Sequence, residues 1–197
     1  VIGVTESPMA AARPGLLDRG APLRIKVNGG TLSSTTLDGM LNGANVMAIG
    51  DGSADNWEVF QFVEAVIVAP DTYDVSLRLR GQLGTDGIMP MVWPTGSEVV
   101  LLDRTPQQLE LPLSTRGLAR YYRVGVAGRG FADPTTVSRV EAFEGIGLRP
   151  YPVAHLASVR AATGDLDLAW IRRTRIDGDS WLSPEVPLGE DSETYAI

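Results

Sequence analysis

The chain has 197 residues, of which 44% are apolar, and it carries no cysteine and a formal net charge of −7. That length allows one large domain or two small ones, and the lack of cysteine excludes a disulfide framework and a thiolate metal site. Gly and Pro contribute 35 residues, about 18% against about 12% in average proteins, so short strands with many turns are favoured over long helices.

Residues 1–22 hold Pro8, Pro14, Pro22, Gly15 and Gly20 without periodicity and read as an extended arm or linker. Leu23 to Val27 alternates Leu/Ile/Val with Arg24 and Lys26, a strand that Asn28-Gly29-Gly30 turns into Thr31-Leu32. Leu37, Met40, Leu41 and Ala44 sit at helical spacing, with Thr35 and Asp38 as a capping pair, and Gly39 and Gly43 limit this helix to about two turns. Val46 to Ile49 is expected to pair with Val59–Val68 across the loop Asp51–Asn56. Val59 to Val68 is apolar on both faces and needs cover on both sides. Ala69-Pro70-Asp71-Thr72 turns it into a second strand. There Tyr73, Val75, Leu77 and Leu79 face one way and Asp74, Ser76, Arg78 and Arg80 the other, the pattern of a strand with one wet face. Three glycines in Arg80–Gly87 end it.

Further on, Glu98 to Leu102 and Gln107 to Leu113 read as strands. Ala119 to Ala127 and Thr136 to Phe143 form a hairpin over Gly128–Pro134. Residues 23–144 are therefore expected to form an antiparallel β-barrel or sandwich domain, and the fold class is mainly β. Residues 145–151 are a linker. In 152–197, Val153, Leu156, Val159, then Leu166, Leu168 and Trp170, and finally Tyr195 and Ile197, are similar to the first strands of a fibronectin type III domain, with Trp170 as its core tryptophan. Such a sandwich needs about 90–100 residues, so this one is expected to be incomplete, continued by the polypeptide or by another chain.

Several longer strings carry a family resemblance. RLRGQLGTDG (Arg78–Gly87), with GANVMAIGDG and WEVFQF before it and WPTGSEVVLLD after it, resembles the large tail-tip or baseplate hub, the host-specificity protein, of gene transfer agents and related long-tailed phages. GIGLRPYPVAHL (Gly145–Leu156), WIRRTRIDGDSW (Trp170–Trp181) and VPLGE (Val186–Glu190) resemble the C-terminal portion of the same family. The resemblance implies a structural virion component at the distal end of a phage-like tail, made in the bacterial cytoplasm. It also implies a homotrimer that closes the tail tube, contacts other tail-tip proteins, contributes to host attachment and opens for DNA delivery. A glycosidase-related domain occurs elsewhere in that family, but none of its signature falls within these residues. The alternative is a β-module that binds a host surface glycan or receptor.

The candidate chemistry is sparse. Asp51, Ser53 and Asp55 echo the first ligands of a calcium loop, but Asn56 stands where such loops have glycine and Phe62 where they have a bidentate glutamate, so a polar hairpin loop is the expectation. His155 is the single histidine and has no G-x-S-x-G serine to activate. Glu58 and Glu64 are expected on one face of a strand, about 20 Å apart, too far for paired-carboxylate hydrolysis. Asp177-Gly178-Asp179 reads as a hairpin turn. No catalytic set and no cofactor is expected.

From Ile176 onward come Asp177, Asp179, Glu185, Glu190, Asp191 and Glu193 with no base, while the first 175 residues hold 17 basic and 18 acidic side chains. That balance lacks the basic face that nucleic-acid binding needs. Arg172, Arg173 and Arg175 beside the acidic tail are candidates for an ion-pair lattice or an inter-subunit clamp. Trp57, Trp93 and Trp181 either stack on sugars or plug a barrel end. The longest apolar run, Ala65 to Pro70, is far too short to cross a bilayer. No signal peptide opens the sequence at Val1, which reads as a piece of a longer polypeptide.

Overall fold

The alternation of Leu23, Ile25 and Val27 with Arg24 and Lys26 becomes a strand whose three apolar side chains are buried and whose two bases are exposed. It is one of six strands that close into a ring. The computed structural model describes residues 1–103, 106–178, 180, 182–190 and 192–195 and divides into two units, Val1–Ile146 and Gly147–Ile197. The strands of the first unit are β1 (Ile2–Thr5), β2 (Met9–Ala10), β3 (Leu17–Asp18), β4 (Leu23–Val27), β5 (Val46–Gly50), β6 (Trp57–Ala69), β7 (Thr72–Gln82), β8 (Val92–Trp93), β9 (Glu98–Leu101), β10 (Ala119–Val124) and β11 (Val137–Ala142). Its helix is α1 (Leu37–Leu41).

The sheet runs β7-β4-β1-β9-β5-β6, and β6 pairs back onto β7, every pairing antiparallel, so the six strands form a closed barrel. Short β3 adds to β7 alongside β4. Closure satisfies sheet edges that would otherwise be open to other chains. Leu23, Ile25, Met47, Ile49, Phe60, Phe62, Tyr73, Val75 and Val99 fill the interior, with Met9, Leu32 and Trp93 packed against them.

The barrel begins earlier in the sequence than residue 23. β1 lies between β4 (Gly3↔Val27) and β9 (Gly3↔Val99), so the amino-terminal segment is barrel wall rather than an arm over residues 1–22. Gly3 and Thr5 are buried while Ile2 and Val4 are exposed. The inward position at residue 3 excludes a side chain, because a Cβ there would lie 2.3 Å from the Lys26 carbonyl oxygen. An inward row of Gly and Thr gives no apolar period, which is why the sequence conceals this strand.

The outer face of β6 is covered too. Gln61 Nε2 donates to the carbonyls of Met40 (2.6 Å) and Ala44 (3.0 Å), tying α1 to the wall. The helix starts at Thr36, whose Oγ1 accepts from the Gly39 N–H, one residue beyond the expected cap at Thr35. A 3₁₀ turn at Thr85–Ile88 supplies Thr85 Oγ1, which accepts from the Val59 N–H (2.9 Å). Gln107 to Leu113 is not a strand: it runs exposed into a 3₁₀ turn at Leu113–Thr115. Pro106 and Pro112 lack the N–H groups a ladder needs.

β10 and β11 pair with each other as an exposed two-stranded ribbon. In the second unit, β12 (Ala154–Arg160) and β13 (Leu166–Ile171) form a hairpin with an irregularity between Ala154 and Ala157. His155 sits there with φ 53°. Trp170 packs edge-on against Tyr195, ring centroids 4.9 Å apart. Tyr195 lies outside a strand, and Ile197 is beyond the described residues.

Candidate functional site

The densest polar cluster lies inside the barrel wall, and a phase change in β7 creates it. Tyr73 and Val75 point inward, as their alternation requires, but Leu77 has φ 55° and the inward positions pass to Arg78 and Arg80. Arg78 and Arg80 therefore do not face water: both are buried. A second irregularity follows, because Val59 pairs with Gln82 and Gln61 with Leu79, leaving an extra residue on β7. Gly81 takes φ 61° at this bulge, and a Cβ there would lie 2.5 Å from Asp86 Cβ. A bulge with glycine in the left-handed region re-aims the neighbouring side chain, here Arg80.

Glu58, inward on β6 and fully buried, receives it. Arg80 Nε donates to Glu58 Oε1 (2.6 Å) and Arg80 Nη2 to Glu58 Oε2 (2.8 Å), a bidentate fork. The Gly81 N–H donates to Oε1 (3.1 Å) and Trp93 Nε1 to Oε2 (2.6 Å). Arg80 Nη1 donates to the Ala10 carbonyl (2.7 Å), which joins the β2–β8 ribbon to the cluster. Arg78 donates through Nε to Asp18 Oδ2 (3.0 Å), through Nη2 to the Ala21 carbonyl (2.9 Å) and through Nη1 to the Val75 carbonyl (3.0 Å). For Asp18, burial by itself raises the carboxyl pKa. The Gly20 N–H and the charges of Arg78 and Arg80 outweigh that and hold it below the usual carboxylate range.

Two carboxylates thus face two guanidinium groups, and each Glu58 oxygen already accepts two hydrogen bonds. Taking two charges out of water costs several kcal/mol per ion unless geometry and hydrogen bonding compensate. Here they do. With its lone pairs occupied, Glu58 is placed to hold β6, β7, β2 and β8 in one register rather than to take a proton from a substrate.

The residues singled out from sequence fall elsewhere. Trp93 is buried, its indole N–H held by Glu58, so it offers no face to a sugar. Trp57 lies against Gly50, where a Cβ would come 2.4 Å from its ring, and its Nε1 donates to the Ser53 carbonyl (2.6 Å). Trp181 lies outside the described residues, as does Asp179.

The carboxylate of Asp51 is occupied by its own loop. Its Oδ1 accepts from the Ser53 N–H (2.9 Å) and its Oδ2 from Asn56 Nδ2 (2.6 Å). The Ser53 hydroxyl and Asn56 amide lower its pKa to about 2. Asp55 does not join them in a metal cluster: among the described residues no three His, Cys, Asp or Glu side chains converge to hold a metal ion. Glu58 and Glu64 do not converge, since Glu58 is buried in the ion cluster whereas Glu64 is exposed and accepts from Ser76 Oγ (2.6 Å).

In the second unit, Arg172 Nη1 donates to Glu193 (2.7 Å) and Arg172 Nη2 to the Val186 carbonyl (2.7 Å). Arg175 forks onto Glu190 (2.9 and 2.7 Å). The Arg173 guanidinium lies 4.7 Å from the Tyr151 ring centroid. Arg172 and Arg175 thus form ion pairs within the chain. No helix among the described residues is long and apolar enough to cross a membrane.

Sequence reasoning missed the Glu58–Arg80–Trp93 cluster. The available signal was an acid at the head of a mainly apolar strand, followed 22 residues later by an arginine beside a glycine.

The class defined by this geometry is a small closed antiparallel barrel whose interior combines an apolar core with an internally satisfied ion cluster. The chain belongs to the family described as Rcc01698-like, C-terminal, which matches residues 1–100. That match ends one residue before β9 does at Leu101, so it covers the closed barrel almost completely. Comparison with curated proteins finds no match.

Proposed function

We propose that this chain is a structural module of a phage-like tail tip or baseplate hub, built into a particle by surface contacts rather than acting on a small molecule. In this reading it is a virion component of the host-specificity protein of a gene transfer agent or related phage. It sits at the distal end of the tail as part of a homotrimer and serves tube closure, host attachment and DNA delivery. The observation that carries the reading is the contrast inside the first unit. The buried polar groups of the barrel are satisfied by one another, while the ribbon beyond it holds Tyr121, Val124, Phe131 and Val140 out in solvent. Tyr121 and Val140 lie opposite each other across the ribbon, and exposed apolar side chains brought together in this way mark an interaction site. The strings from GANVMAIGDG to WPTGSEVVLLD, which carry the resemblance to gene transfer agent hubs, overlap the stretch matched by the family.

The test is deletion of residues 1–146 from the particle's gene. The expected result is failure to assemble complete tails in electron micrographs. Intact particles that assemble but do not adsorb to host cells would instead favour a receptor-binding module, and intact, infectious particles would overturn both.

A further inference from the structure

Barrel closure leaves one stretch of wall open. β5 covers β6 only from Trp57 to Gln61, whereas β6 runs on to Ala69. Past Gln61 its outer edge is first served by a loop: the Thr35 N–H donates to the Val63 carbonyl (2.8 Å) and the Ala65 N–H donates to Ser34 Oγ (3.0 Å). Beyond Ala65 no strand pairs with that edge among the described residues. Backbone groups alternate sides along a strand, so Ile67 presents its N–H and C=O outward as Val63 and Ala65 do. Val66, Ile67 and Val68 are exposed there, and no lysine or proline blunts the edge before Pro70. Natural proteins seldom leave such an edge uncovered.

The ribbon β10–β11 has the opposite charge and the same need. A two-stranded ribbon is marginal by itself in water. Tyr121, 87% exposed, pairs with Val140, 54% exposed. The ribbon with its loop, residues 116–142, holds five arginines (Arg116, Arg120, Arg123, Arg129 and Arg139) against Asp133 and Glu141, a net of +3. Residues 1–100 carry 6 basic and 11 acidic side chains, a net of −5, with Glu64 and Asp71 flanking the open edge.

We propose that these two surfaces meet between copies of this chain, head to tail, the β10–β11 ribbon of one copy adding a strand to the Val66–Ala69 edge of the next. The occupant is a second copy because the chain itself supplies both an acidic strand edge and a basic strand pair. Self-pairing of either surface is disfavoured. Antiparallel pairing of two β6 edges sets Glu64 and Asp71 of one copy against the same groups of the other, and pairing two ribbons sets arginine against arginine. A head-to-tail contact forms a ring if its rotation closes. The proposal rests on the homotrimer of the tail-tip reading and deepens it by naming the two surfaces that meet, and it is tested on the purified chain in solution.

Sedimentation velocity over a concentration series, at low and high salt, reads the self-association. Ile67→Lys and the double variant Arg123→Glu/Arg139→Glu each weaken it by about tenfold or more. A mixture of the two variants forms a 1:1 dimer and goes no further, because each retains one competent surface. Thermal melts of both variants verify folding. The absence of cysteine allows a second readout that leaves the charges in place: Ile67→Cys mixed with Tyr121→Cys gives an inter-copy disulfide in excess of either variant alone. A wild-type chain that stays monomeric, a ribbon variant that associates like wild type, or cysteine variants that do not cross-link as a mixed pair would each overturn the proposal. None of these results bears on whether particles need the segment, which the deletion decides separately.

Discussion

Phe60 and Phe62 of the barrel have no solvent contact, whereas Tyr121 and Val140, on strands later in the chain, stand in water. The difference lies in what completes the strands. Six strands that return on themselves enclose an inside, and every inward side chain finds a neighbour; two strands have no inside. The same contrast holds for charge. Arg80 is locked by the Glu58 carboxylate and the Ala10 carbonyl, while in the ribbon Arg129 holds Asp133 at 3.3 Å in an exposed i,i+4 pair. The barrel encloses its core and its ion cluster, and the ribbon leaves its apolar side chains exposed.

The largest way to break that contrast is to open the ion cluster. Glu58→Ala leaves a buried guanidinium, an indole N–H and the Gly81 N–H without their acceptor, and is expected to cost about 3–5 kcal/mol in urea denaturation of the chain. Trp93→Phe keeps the ring and removes the indole donor to Glu58, so a smaller loss of about 1–3 kcal/mol is expected by the same measurement.

Acid sharpens the contrast further. The folded-state pKa of Asp18 lies below its ordinary value of 3.8. The stability it contributes is therefore fully present above that value and is lost as pH falls through the lower folded one. Thermal melts should show a drop beginning near pH 4 that is reduced in Asp18→Asn. The smallest effect is expected in the ribbon, where Val140→Ala changes the stability of the isolated chain by less than about 0.5 kcal/mol. A loss like that of a core truncation would show that the ribbon is already packed, against the exposure described here.

Much of the first unit was legible because alternation survives wherever a strand is regular. Leu23–Val27, the Ala69–Thr72 turn, the pairing of Val46–Ile49 with β6, and the β10–β11 hairpin all follow from period and turn chemistry. The legible part ends where the backbone leaves that period. Nothing in the residue type of Leu77 announces a φ of 55°, since β-propensity places leucine in extended backbone. One such residue turned Arg78 and Arg80 from an expected wet face into the interior. Trp93 followed them, because its burial depends on an acceptor at Glu58 that only the folded barrel supplies. β1 was hidden for a different reason: its inward residues, Gly3 and Thr5, are chosen for close approach and hydrogen bonding rather than for apolarity.

The place of β1 also bears on how this protein acquires its shape. Its two neighbours come from distant parts of the sequence, β4 soon after it and β9 with Ile2 opposite Val100. On a ribosome, the first strand emerges long before its second neighbour has been made, and contacts of such long range form slowly. The cylinder cannot close until the Glu98–Leu101 segment has been made and slots between β1 and β5, and until then the edges of both strands are open to a wrong partner.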